Sequence, residues 1–256
     1  MLKLADTEIH LWHVDQAEFE GTELEDDCLS WLTEIETTRY LRYTFDHHRK
    51  QFLLGRMLIR NTLSKYATIA PEDWLFTEND YGKPAIDASQ QSQPIFFNLS
   101  HSGDRLVLAL SKQEAIGVDI ESSNKPRRVL KIADRYFSPS EVQELLALPD
   151  SEQLSRFYDL WTLKEAYIKA CGLGLAIPLQ QFSYAFPSEY RVLIDFAEER
   201  NDDSTQWQVW QIDPGRPFKL ALAVKSGANR VEKIVSRRFL ALDEAISMDT
   251  NILRDG

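Results

Sequence analysis

Leu106-Val107-Leu108-Ala109-Leu110 and Leu220-Ala221-Leu222-Ala223-Val224 are two short apolar runs of one pattern, 114 residues apart. Each is the length of a buried strand. Working outward, apolar residues at helical intervals cover 52–66 (Leu53, Leu54, Met57, Leu58, Leu63), and a second helix is expected over 157–171, in a roughly equivalent place. A strand and a helix recurring in this way predict an α+β protein of two similar halves, 1–113 and 114–256. A site between the halves follows as the expectation.

The remaining elements fit that frame. Alternation over 8–14 predicts a strand, and helical spacing runs through 29–45. Pro71 stops the helix at 52–66. Strands are expected at 74–76, at 95–100 paired with 106–110 around Ser102-Gly103-Asp104, and at 116–121, with a turn at 79–84. Helices are expected at 129–137 and 139–148, the second capped by Ser138 with Pro139 at its first position and Glu141 closing the box. The helix at 157–171 ends near Gly172 or Gly174. Further strands are expected near 182–186, 191–195, 206–212, 218–224 and 234–240.

Composition narrows the classes of function. The 256 residues are 43% hydrophobic, and 29 Lys and Arg stand against 40 Asp and Glu, a formal charge of −11. That balance argues against a general nucleic-acid binder. Cys28 and Cys171 are far apart and outside any CxxC, so no disulfide framework or structural zinc site is expected. No apolar run reaches the roughly 18 residues of a membrane span, and Lys3, Asp6 and Glu8 do not fit a secretory signal. A cytoplasmic protein without a membrane partner is the expectation. The charge is uneven: residues 1–36 hold eleven acids against Lys3, whereas Arg39, Arg42, Arg49, Lys50, Arg56, Arg60 and Lys65 face only Asp46 and Glu72. Lys125, Arg127, Arg128, Lys131 and Arg135 form a second basic group. Two such clusters suit a polyanionic ligand and an acidic protein partner.

Three stretches carry candidate chemistry. In Ile116-Gly117-Val118-Asp119-Ile120-Glu121, strand alternation turns the apolar residues one way and both carboxylates the other. Paired carboxylates of this kind suit a hard divalent ion such as Mg²⁺, though an isolated Asp-x-Glu is more often an ordinary strand rim. In Trp161-Thr-Leu-Lys164-Glu165-Ala-Tyr-Ile-Lys169, helical spacing puts Trp161, Glu165 and Lys169 on one stripe. Glu165 there is a third ligand or a general base, with Lys169 as its electrostatic partner; the plainer reading is a surface ion pair. In Phe97-Asn-Leu-Ser100-His101-Ser102, hydroxyls, amides and an imidazole can converge on phosphate oxygens. The chain has no P-loop and no dinucleotide-binding glycine fingerprint.

The order of these motifs, Tyr81-Gly-Lys-Pro84, Phe97-Asn-Leu-Ser-His-Ser102, Gly117-Val-Asp-Ile-Glu121, Phe137-Ser-Pro-Ser-Glu141 and Trp161-Thr-Leu-Lys-Glu-Ala-Tyr-Ile-Lys169, resembles the 4′-phosphopantetheinyl transferase superfamily of the longer Sfp type. The resemblance runs from about Trp31 to about Leu179. It implies two halves related by a pseudo-twofold, a monomer in which they mimic a dimer, and an active site between them. It also implies transfer of the phosphopantetheine arm of coenzyme A to a serine of an apo acyl or peptidyl carrier protein, releasing adenosine 3′,5′-bisphosphate.

Carried over by motif, the resemblance makes Asp119, Glu121 and Glu165 ligands of Mg²⁺, with Mn²⁺ as an alternative ion. It puts His101, Ser100 and Lys83 at the phosphates or adenine, and has Lys164 and Lys169 neutralise developing charge. Glu165, or a water that it orients, takes the serine proton, so Glu165, Lys169, Asp119 and His101 form the expected catalytic group. Arg39, with Arg49 and Lys50, is matched to the 3′-phosphate grip. The sequence departs from the pattern at Gln51, where relatives often carry Arg. The second basic cluster is the expected contact for an acidic carrier. The alternative function is an inactive paralogue that binds coenzyme A or a carrier without transfer.

Overall fold

Residues 1–19, 28–91, 94–124, 129–242 and 244–256 are described by a computed structural model of the chain. The acids at 20–27, and Lys125, Arg127 and Arg128 of the second basic cluster, lie outside the described residues. Among those described, five α-helices pack against two sheets, with a small two-stranded hairpin beside them.

The two quoted runs sit in corresponding strands. Strand β5 (Arg105–Ser111) holds the first, paired antiparallel to β4 (Phe96–Ser102) on one side and to β1 (Glu8–Asp15) on the other. Strand β10 (Phe218–Lys225) holds the second, between β6 (Ile116–Ser122) and β9 (Trp207–Ile212). Alternation gives each sheet two apolar faces. Leu106, Leu108 and Leu110 pack beneath α2 (Asp46–Ser64) with its Leu53, Met57 and Leu58. Ala221 and Ala223 pack beneath α5 (Asp150–Cys171) with its Phe157, Leu163 and Ala166. Val107 and Ala109 from one sheet and Leu220, Leu222 and Val224 from the other share a third cluster. The layers are thus helix, sheet, sheet and helix, with the third apolar cluster between the sheets.

The chain crosses between layers at its end. Strand β11 (Lys233–Ala241) runs parallel to β1, with Glu8 opposite Lys233, and β12 (Glu244–Met248) closes that edge. Residues 233–248 therefore belong to the first sheet although they follow the expected boundary at 113. The last strand, β13 (Ile252–Asp255), returns to the second sheet between β9 and β8 (Arg191–Phe196), which pairs with β7 (Phe182–Ser188). Neither β12 nor β13 was expected from the pattern.

Helix boundaries shift for local reasons. The helical spacing over 29–45 resolves into α1 (Glu34–Arg42), which starts where Thr33 and Glu36 form a capping box. Glu36 then bonds Arg60 at 2.8 Å and Arg56 at 3.4 Å, fastening α1 to α2. Trp74 is buried after a single turn at Pro71–Asp73, and the strand there is β2 (Phe76–Glu78), paired with β3 (Pro84–Ile86). Helix α3 (Val129–Tyr136) and α4 (Pro139–Ala147) fall where expected, and the Ser138 and Glu141 box is present. No helix among the described residues is long and apolar enough to cross a membrane.

Candidate active site

Strands β4 and β6 are the neighbouring edges of the two sheets, and α5 lies across β6. The close approach depends on Gly117, where a Cβ would stand 2.1 Å from the Ala166 carbonyl oxygen and 2.4 Å from the Ala170 nitrogen. Ile116, Val118 and Ile120 point into the inter-sheet cluster. By alternation, Gly117, Asp119 and Glu121 face α5. The one partly open stripe of α5 in this stretch is Trp161, Glu165 and Lys169; the intervening residues are buried.

Asp119, Glu165 and Lys169 come together at this seam. Lys169 Nζ donates to Asp119 Oδ1 at 2.6 Å and to Ser100 Oγ at 2.8 Å. Asp119 Oδ2 is buried without a hydrogen-bond partner among the described residues. Burial raises the Asp119 pKa against the opposing pull of Lys169. The Glu165 carboxyl is pushed up to about 7, first by desolvation and then by the negative charges of Asp119 and Glu121, with Lys169 opposing. Among the described residues no three His, Cys, Asp or Glu side chains close to metal-ligand distance as they stand.

His101 stands exposed at the far end of β4, with its pKa lowered by desolvation and by the charges of Lys169, His48 and His47. The start of α2 thus faces the same end of the seam. Gln51 Nε2 donates to the Gly103 carbonyl at 2.7 Å, tying α2 to the turn after His101. On α2 and α1 the guanidinium groups of Arg56 and Arg39 lie 5.2 and 5.5 Å from the Phe52 ring. Arg49 pairs with Asp46 at 3.2 Å, and Lys50 follows it, half-buried. In the sequence Arg56 was read only as a member of the first basic cluster, and His47 and His48 were not singled out. The Phe52-to-Arg56 spacing of one helical turn was the available signal for Arg56.

Three residues expected to bind coenzyme A have other duties. Lys164 is fully buried, where its Nζ pairs with Glu141 Oε2 at 2.8 Å and donates to the Leu179 and Phe182 carbonyls at 2.7 Å. It serves the core behind α5 and does not reach the seam surface. Lys83 Nζ donates to the carbonyls of Ala170 at 2.8 Å and Ile116 at 3.2 Å, so it holds the β2–β3 hairpin to the end of α5. Asn79 adds a bond to the Gly172 carbonyl at 2.7 Å, and Gly172, with φ +70°, ends the helix. Ser100 is buried with its hydroxyl committed to Asp119 and Lys169, which leaves no bond for a phosphate. A cavity of about 570 Å³ opens near Lys83, lined also by Glu114, Cys171, Arg200, Trp207 and Lys225; the seam carboxylates are not part of its wall.

Residues 115–223 match the family described as the 4′-phosphopantetheinyl transferase superfamily, and residues 12–113 match the 4′-phosphopantetheinyl transferase, N-terminal family. Among curated relatives, the 4′-phosphopantetheinyl transferase HetI of Nostoc sp. is 34% identical over 177 residues, covering 68% of this chain and 73% of its own. The 4′-phosphopantetheinyl transferase Sfp of Bacillus subtilis (strain 168) is 36% identical over 187 residues, covering 73% and 78%. The two family matches meet where the two halves meet, and together they place the protein among enzymes of the transferase class. The chain belongs to the 4′-phosphopantetheinyl transferase superfamily.

Proposed function

We propose that the protein transfers the 4′-phosphopantetheine arm of coenzyme A to a serine of an apo acyl or peptidyl carrier protein, in a Mg²⁺-dependent reaction that releases adenosine 3′,5′-bisphosphate. The observation that carries this reading is Asp119 Oδ2, a buried carboxylate oxygen at the seam with no hydrogen-bond partner among the described residues; the Asp119 charge, with that of Glu121, raises the Glu165 pKa.

An orphaned buried oxygen among mutually repelling carboxyls fits a hard, oxygen-loving cation. Asp119, Glu121 and Glu165 would hold Mg²⁺ or Mn²⁺, which would neutralise pyrophosphate charge. In the transfer, the serine oxygen bonds to the β-phosphorus, and the bond from that phosphorus to the bridging oxygen breaks. The electron pair leaves on adenosine 3′,5′-bisphosphate. Glu165, or a water that it orients, accepts the serine proton. Lys169 supplies positive charge to the phosphates, and His101 meets them at the exposed end of β4. Arg39, Arg49 and Lys50 remain the proposed grip for the 3′-phosphate. Arg56 joins them because it flanks the same Phe52 ring as Arg39.

Lys131 and Arg135 on α3, with Arg127 and Arg128, are the proposed contact for an acidic carrier. The protein is proposed to act as a cytoplasmic monomer. The test incubates it with coenzyme A, Mg²⁺ and a panel of apo carriers while adenosine 3′,5′-bisphosphate is followed by chromatography. Carrier-dependent release supports the reading. Binding of coenzyme A without release from any carrier would favour the binding-only paralogue.

A further inference from the structure

The two sheets meet along β4 and β6 through a ladder made of side chains. Asn98 Oδ1 accepts from the Val118 N–H at 2.9 Å, Ser100 Oγ from Ile120 N–H at 3.2 Å, and Ser102 Oγ from Ser122 N–H at 3.0 Å. The acceptors recur every second residue on one strand and the donors every second residue on the other, which is the strand period. Each serine also has one proton to give. Ser100 donates it to Asp119 Oδ1 at 3.0 Å, and Ser102 donates it to Glu121 Oε2 at 2.9 Å. A hydroxyl whose oxygen accepts from a fixed main-chain N–H has little freedom to turn its proton elsewhere.

The two serines are not equivalent. Asp119 has Lys169 as a second donor to the same oxygen. Glu121 is longer and half-buried, and among the described residues Ser102 is its hydrogen-bond donor. We propose that Ser102 is a positioning residue that aims the Glu121 carboxylate into the seam, so that docking of the two sheets and readiness of the site for a cation are one event. The proposal rests on the function proposed above, in which Glu121 is a metal-site carboxylate. Its chemistry is that of an outer hydroxyl that fixes a ligating carboxylate, a role whose loss costs about 10-fold to 100-fold in metal affinity.

The test titrates wild-type protein, Ser102→Ala and Ser102→Thr with Mn²⁺ at saturating coenzyme A, against a protein-free blank, reading the free-ion paramagnetic signal. The expected result is affinity at least about tenfold weaker in Ser102→Ala and restored in Ser102→Thr, which keeps the hydroxyl. In transfer assays the metal concentration for half-maximal rate rises in Ser102→Ala, while the coenzyme A KM stays as in the wild type. A merely structural serine would lower the melting temperature and leave Mn²⁺ affinity unchanged; that outcome overturns the proposal. Should Ser102→Ala fail to fold, Ser102→Cys retains the volume with a weak donor, and wild-type affinity there overturns it equally. Wild-type protein that binds no Mn²⁺ and modifies no carrier overturns the function reading itself and the role of Ser102 with it.

Discussion

Lys164 and Lys169 share one helix and one composition motif, yet they have different work. An α-helix turns by about 100° per residue, so five residues separate their directions by roughly 140°. The stripe through Trp161, Glu165 and Lys169 was legible from this spacing, whereas Lys164 was placed in the site by the resemblance although it points away from that stripe. The pattern could not show that Glu141, which closes the cap of α4, also receives Lys164 and the Tyr184 N–H. Lys164→Met leaves Glu141 buried without its cation and is expected to cost about 3–5 kcal/mol in urea unfolding. Lys169→Met is expected to act chiefly on kcat. A Lys164→Met protein of wild-type stability and reduced kcat would reverse these roles. Glu165 adds a pH signature in metal-free protein. Its native pKa of about 7 lies above the ordinary 4.5, so the native state holds a proton that the unfolded chain releases as pH rises. Relative to Glu165→Gln, wild-type stability should fall between pH 4.5 and 7. The effect is at most about 3 kcal/mol, reduced by partial exposure, and parallel curves would contradict it.

The seam depends on how closely α5 approaches β6, and Gly117 sets that distance. Gly117→Ala places a methyl against the backbone of α5 at Ala166 and Ala170, where no side chain can rotate away. The expected outcome is destabilisation of about 1–3 kcal/mol or more, with a larger loss of kcat than Ala substitutions elsewhere on β6, because Glu165 and Lys169 ride on the displaced helix. A melting temperature and kcat like the wild type would show that the helix sits elsewhere. The long elements were legible because β5 and β10 are continuous apolar runs buried on both faces, β6 alternates apolar residues with carboxylates, and α2 and α5 carry apolar residues at helical intervals. The short strands β12 and β13 were not. Strand β12 is exposed along its whole length, so its Ile246 and Met248 mark no buried face, and β13 is held by main-chain pairing to distant β9 and β8. The roles of Ser100 and Ser102 across the seam were not legible, because a β-strand ending in hydroxyls looks the same whether it faces a ligand or another strand.

Across the whole molecule, the repeat at 106–110 and 220–224 reported the two-half architecture, but not the return of 233–248 to the first sheet. That return depends on β1 accepting a parallel neighbour and cannot be read from β11 alone. At the centre of this sheet, β1 carries two buried histidines, His10 and His13, each with its pKa lowered to about 4, chiefly by desolvation. His10 Nδ1 meets the Tyr66 hydroxyl at 2.6 Å, which suits the neutral ring. Because the native pKa lies below the ordinary 6.5, the stability these groups supply is complete above pH 6.5 and is lost as pH falls toward 4. Measured in Glu165→Gln, so that the carboxyl does not offset it, urea stability should decline from pH 6.5 to 5, before ordinary carboxylates titrate. A flat profile over that window would mean that the two rings titrate in the fold as they do in the unfolded chain.

The seam of Asp119, Glu165 and Lys169 is the proposed place of transfer. The measurement is the intact mass of an apo carrier protein after incubation with coenzyme A and Mg²⁺, using wild-type protein beside Asp119→Asn, an exchange of nearly equal shape. The predicted result is a carrier gaining the mass of one phosphopantetheine arm with the wild type, none when EDTA is present, and almost none with a folded Asp119→Asn. Equal modification by both proteins would contradict it.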